Sequence, residues 1–277
     1  MSDDEAFVTW ASIIAGIWFL WIYYRRIAAF SQFNIAERQF AVLAVAPFMA
    51  VIGVFAVIKT AGSADVRDTP YYLIMYTVLG LVWFMGSVFV MELLGISYRD
   101  DAEERHNLAA TIVVICALFA HAAIYAGANI GNGPGWWTVV VAGAIGSAAW
   151  FALWFLADLI CGFSEDITVD RDVPAAIRLG GYALAVGLVC ARGSAGDWTS
   201  FNQTVIEFGA AWAIVPMTAA IIAIEKFLQA QPEHYKRGTL QAVAIAAGFL
   251  VAAGAALQFA GPLPHNPQYD YLNTPSQ

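Results

Sequence analysis

Charge is scarce in this sequence. Asp, Glu, Lys and Arg make up 12% of its 277 residues, against about 25% in a soluble domain. Coiled coils and disordered tails are disfavoured by that shortage. Basic charge is scarcer still: 13 Lys and Arg stand against 21 Asp and Glu, a formal charge of −8. No basic face for nucleic acid can come from that balance. Cysteine is limited to Cys116, Cys161 and Cys190, far apart, with no CxxC, no CxxCH and no metal-type spacing, so neither a disulfide scaffold nor a metal site is expected. Also missing are a P-loop, a Rossmann fingerprint, HExxH, GxSxG and any paired nucleophile and base. No catalytic residue is therefore nominated, no enzyme activity is expected, and the residues require no cofactor. What is abundant is apolar, at 60% of residues with a further emphasis on aromatics at 14%.

A helix needs about 20 mostly apolar residues to cross about 30 Å of hydrocarbon at about 1.5 Å per residue. Eight segments meet that length: 7–25, 40–60, 71–96, 107–129, 136–162, 174–193, 204–228 and 239–260. Strands are excluded there, because an open strand would leave backbone groups unpaired in lipid. The expected fold is all-α: a polytopic membrane protein with one membrane domain over 1–261 and an extended Pro-rich tail over 262–277. The leader 1–5 carries three acids and no base, which argues against a cleaved signal peptide. Arg25, Arg26, Arg38, Arg99, Arg105, Arg171, Lys226, Lys236 and Arg237 follow the odd-numbered spans, and Arg178 lies just inside the sixth. The other side holds only Lys59, Arg67 and Arg192. Positive charge marks the cytoplasmic side, so both termini are expected outside.

Self-comparison gives a period near 66 residues. Arg38, Arg105, Arg171 and Arg237 recur at 67, 66 and 66; Glu92, Asp158 and Glu225 recur at 66 and 67, with Arg25 in the matching place of the first copy. Ala61, Gly127, Gly193 and Ala260 recur at the outer ends of even spans, and Trp83-Phe84 returns as Trp150-Phe151. Four helical hairpins are expected, over about 7–60, 71–129, 136–193 and 204–260. Two helices per copy would point all four the same way, related by an axis along the membrane normal.

The junctions share a texture. An acid closes one helix, an acidic turn follows, and a charged residue with Asn or Pro precedes Ala-Ala, as at 104–110 and 170–176. Asn107-Leu108-Ala109-Ala110 and Pro174-Ala175-Ala176 carry the pattern, which resembles the YjfL-type family of small bacterial inner membrane proteins of unknown function. The first hairpin departs from it at Arg25, the fourth at Gly238-Thr239-Leu240. That family is built of two such hairpins, so the resemblance implies a doubled version. It also implies a bacterial inner (plasma) membrane location and gene neighbourhoods tied to membrane stress or polyamines. It implies no catalytic residue.

Ionisable residues inside membrane helices are costly and are candidates by default. Glu92, Asp158 and Glu225 are followed 13, 13 and 12 residues later by Arg105, Arg171 and Arg237 on the returning helix. The plain reading is an ion pair or cap that fixes each hairpin at the interface. The sharper one is a ring of three acids around Arg25, forming an ion or proton vestibule. Arg178 could reach Asp158, Asp172, a lipid headgroup or a substrate anion. His121 is the only histidine well within a span, suited to an interhelical hydrogen bond or to a single pigment or haem bond. Gly143 to Ser147 and Gly180-Gly181 allow close helix approach, and Pro216 should kink the seventh span. The tail holds Pro262, Pro264, Pro267 and Pro275 with Tyr269 and Tyr271 between them, a polyproline bias that suits it to lie along a protein partner.

Three functions remain open at this point. The first is a non-enzymatic membrane subunit that scaffolds or regulates a larger assembly, with lipid and a protein partner or further copies around it. The second is a channel or transporter with the acid ring at its mouth. The third is a pigment- or redox-associated subunit using His121.

Overall fold

A computed structural model describes residues 2–31, 38–231 and 238–270, and these residues are helical without strands. In chain order they form α1 (Asp3–Ser31), α2 (Arg38–Ala61), the short α3 (Ala64–Arg67), α4 (Pro70–Leu93), α5 (Leu108–Ala128), α6 (Trp136–Cys161), the short α7 (Phe163–Thr168), α8 (Val173–Gly193), the short α9 (Phe201–Glu207), α10 (Ile214–Gln229) and α11 (Thr239–Phe259). Seven of them, α1, α2, α4, α5, α6, α8 and α11, are long and apolar enough to cross a membrane. That is the pattern of a multi-pass membrane protein.

The seventh expected span is broken rather than continuous. α9, a 3₁₀ turn over Phe208–Ala211 and α10 together would make an eighth span, bent by 44° at the break. Pro216 stands in the first turn of α10. It has no N–H to donate, and its ring opposes the carbonyl four residues earlier, at Trp212. The chain bends just before the proline for that reason.

α5 and α8 form the centre. They are the most buried of the long helices, whereas α11 and α1 are the least. Small residues allow the close approach. A Cβ on Gly187 would lie 2.6 Å from the Ala120 Cβ, and one on Gly127 would lie 2.2 Å from the Ala191 carbonyl oxygen. Without a hydrophobic drive in lipid, backbones that meet at such points gain dispersion contacts that larger side chains would prevent. α11 approaches α8 in the same manner, with Gly181 against Ala246.

The long helices lie in two rows. In one, α2 packs on α5, α5 on α8 and α8 on α11. In the other, α4 lies against both α1 and α2, α6 against α5, and α10 against α6 and α8. Trp83 of α4 joins α6 by donating its indole N–H to the Ser147 hydroxyl at 3.1 Å.

Two turns at the arginine end of the bundle share a hydrogen-bond pattern. A π-helical turn, Tyr98–Glu104, precedes α5, and α7 precedes α8. Asp101 N–H donates to Ser97 O at 3.1 Å and Asp166 N–H to Gly162 O at 3.2 Å; Asn107 N–H donates to Asp101 O at 3.1 Å and Asp172 N–H to Asp166 O at 3.0 Å. His106 (φ 51°) and Arg171 (φ 53°) both take the left-handed conformation, uncommon for residues with a Cβ. Each is followed by a cap: the Asn107 side chain accepts from Ala109 N–H and the Asp172 side chain from Ala175 N–H, both at 2.9 Å. In this register His106, not Arg105, matches Arg171. The expected equivalence of these two arginines is therefore off by one residue, because the first junction has one more residue between its acid and its turn.

Candidate functional site

At the arginine end the three acids take two roles. Glu92 accepts a hydrogen bond from the Ser97 hydroxyl at 3.1 Å. Asp158 accepts from the Ser164 hydroxyl at 3.0 Å and from the Ser164 N–H. Each carboxylate thus closes its own helix onto the turn that follows, as a cap. Glu225 does something else. It is buried in α10, and the Arg178 guanidinium of α8 meets it as a two-armed fork, with Nη2 to Oε2 at 2.9 Å. Charge-assisted paired bonds of this kind fix geometry as well as charge. A cavity of about 350 Å³ opens beside the pair, with Asp166, Arg171, Gln229 and Thr239 on its walls.

The ion pairs expected from spacing are not those the structure forms. Arg105 pairs with Asp101 at 3.1 Å rather than with Glu92, because the π-helical turn places that acid four residues away on its own face. Arg178 pairs with Glu225 rather than Asp158 or Asp172, since α8 packs against α10 while Asp158 and Asp172 are engaged as caps. Arg171 lines the cavity. Arg25 lies over the Trp21 ring, 4.5 Å from its centroid, a cation–π contact on its own helix. Among the described residues no ion pair joins Arg25 to Glu92, Asp158 or Glu225, and Glu225 is paired with Arg178 instead. The Arg38 side chain and the whole of Arg237 lie outside the described residues.

The opposite end holds a hub that charge spacing does not reveal. Asp197, in the loop after α8, is buried, and both its carboxylate oxygens are engaged. Oδ1 accepts from Asn132 N–H at 2.7 Å and Asn132 Nδ2 at 2.9 Å; Oδ2 accepts from Asn266 N–H at 3.0 Å and faces His265 Nδ1 at 3.1 Å. Backbone bonds run alongside: Gly196 N–H to Ile130 O, Trp198 N–H to Asn132 O and Asp197 N–H to Pro264 O. Three loops, each following a row helix, are thus laced side by side. The available signal was a polar residue shortly after each of these helices, Asn132, Asp197 and Asn266. The tail is part of this lacing, since its described portion through Asp270 is held by the chain's own loops rather than extended away. Beside the hub lies a polar cavity of about 430 Å³ reached by Tyr72, Tyr76, Asn129, Ser194 and Glu207.

Between the two ends the interior is packed. Trp150 and Trp154 stack at 5.1 Å, and Tyr182 exchanges a 2.8 Å hydrogen bond with Thr218. His121 is fully buried, with Nδ1 3.0 Å from Ala117 O on its own helix. Phe151 and Trp150 crowd the imidazole at 4.4 and 4.7 Å. A flat macrocycle would need the space these rings fill, so the residues present do not fit a pigment or haem there. The hydrogen bond His121 makes stays within α5 rather than joining two helices.

A family model, the Domain of Unknown Function DUF350, matches residues 65–194, less than half of the chain. The match runs from α3 through α8 and contains both turns with the shared hydrogen-bond pattern. No curated protein and no solved structure matches the chain.

Proposed function

We propose that the chain is an integral membrane component of a larger assembly, which organises partners within the bilayer and has no catalytic chemistry of its own. The reading places it in a bacterial inner membrane, with both termini external, as four helical hairpins related by an axis along the membrane normal. The observation that carries it is the spacing of the bonds between hairpins. Three of them span close to one period, Trp83 to Ser147 at 64 residues, Asn132 to Asp197 at 65 and Arg192 to Ala260 at 68, while Arg178 to Glu225 and Tyr182 to Thr218 join α8 to α10 at 47 and 36. The first three support a reading in which matching parts of successive hairpins lie side by side. Such an array grows laterally in the membrane plane and presents apolar end faces to whatever adjoins it. The orientation rests on the ten-to-three bias of Lys and Arg.

Purification from membranes in mild detergent, followed by native mass measurement, tests the reading. The expected species is heavier than the 29.9 kDa chain and contains either a second membrane protein or further copies. A bare monomer in every mild detergent and in nanodiscs would overturn it.

The second reading is a transporter, favoured by two polar cavities at opposite ends with a buried Arg178–Glu225 pair beside one of them. Ion flux in liposomes that disappears in Glu225→Gln would move the conclusion to transport.

A further inference from the structure

Each hairpin in the chain receives the first helix of the next. α4 lies against α1 and α2 of the first hairpin, α6 against α5 and, through Trp83, against α4, and α10 against α6 and α8. The fourth hairpin, α10 with α11, has the same kind of groove. No helix among the described residues fills it. The space is about 650 Å³, its walls carry Pro216, Met217, Ala220, Gly248 and Ala252, and a Cβ on Gly248 would meet nothing within 4 Å. Small residues along such a groove leave holes for large ones from another helix.

The opposite edge of the molecule carries the matching ridge. Phe7, Trp10, Ile14, Ile17 and Trp21 follow one another at three- and four-residue steps along α1, and all are more than half exposed. That spacing places them on one stripe of a helix, the seam along which helices interlock. α1 and α10 begin their spans at the same end of the bundle, as do α4 and α6. A second molecule in the same membrane orientation can therefore present α1 to the α10/α11 groove as α4 meets α1 and α2.

We infer that the chain associates head to tail with a second copy of itself, α1 of one molecule filling the α10/α11 groove of the next. The inference rests on the proposed role as an assembly component and names its partner. The contact is heterologous, so repetition closes a ring or extends a row in the bilayer plane. It continues the interface already present three times within one chain, and that continuity singles out a second copy over lipid or an unrelated helix.

Disulfide cross-linking in native membranes tests it. Ile14 and Ala252 both lie near the middle of their helices, so Ile14→Cys in one tagged copy and Ala252→Cys in a second should give a mixed dimer on oxidation. Phe155→Cys, exposed on α6, should give none with Ile14→Cys. Gly248→Leu fills the groove without crowding its own molecule, and should reduce the co-purification of the two tags at least tenfold. Absence of the Ile14–Ala252 cross-link while copies still co-purify overturns the docking but leaves the assembly role standing. A monomer with phospholipid bound in the groove overturns the docking too, and absence of any partner overturns both. Unchanged assembly of Gly248→Leu also overturns the docking.

Discussion

Arg178 and Glu225 show how little a lone charge in a sequence says about its partner. They are 47 residues apart and on different helices, and only the packing of α8 on α10 brings them together. Removing one member of a buried pair strands the other charge, at a typical cost of about 3–5 kcal/mol, whereas replacing both with apolar residues of similar size is often neutral. Arg178→Met should therefore lower the unfolding midpoint in detergent strongly, and adding Glu225→Met should recover most of that loss. Equal losses in the single and double variants would contradict the pairing. Arg25 is the contrasting case, exposed and resting on Trp21. Arg25→Glu should cost about 1 kcal/mol or less, measured in the same melt. At Asp197, Asp197→Ala leaves the donors of Asn132 and Asn266 without their acceptor, at about 1–3 kcal/mol for each buried group. Hydrogen exchange at 262–270 should then rise sharply, while exchange in α5 stays slow.

At the scale of elements, most boundaries followed from length and composition, and the departures have local causes. Span seven was expected to be a single kinked helix, yet it divides before Pro216 because the ring cannot face an unbroken turn. Asn107 and Asp172 cap α5 and α8, and their left-handed neighbours could not be read from residue type, since neither His106 nor Arg171 is a glycine. Close approach was partly legible. Gly180-Gly181 announced a crowded face on α8, but which helix came to which glycine depends on the assembled bundle. Gly187→Leu would drive its side chain into Ala120, whose Cα would stand 2.7 Å from the new Cβ. Overpacking of this kind costs about 1–3 kcal/mol or more, so the variant should lose its folded, monodisperse peak in detergent chromatography. Ala at the same position should lose less, having only the first carbon of that side chain.

For the molecule as a whole, orientation is the prediction with the broadest reach. Asp68 and Asp100 are exposed beyond opposite ends of α4, Asp100 in the π-helical turn. In intact cells a membrane-impermeant maleimide should label Asp68→Cys and spare Asp100→Cys until the membrane is opened. Labelling of both from the same side would contradict the topology. Class and the approximate spans, seven unbroken and one bent pair, followed from composition and run length, because lipid admits only helices or closed barrels and the apolar runs are of helical length. The spacing near 66 residues was read from recurring charges and small residues alone. Pairings were not visible. A buried carboxylate such as Glu225 or Asp197 is satisfied by whichever donor the fold brings within about 3 Å, and in this chain those donors lie 47 residues away for Glu225 and 65 and 69 away for Asp197. One-dimensional spacing records that two residues are alike. Only the stacking of α5, α8, α10 and α11 in three dimensions decides which of them touch.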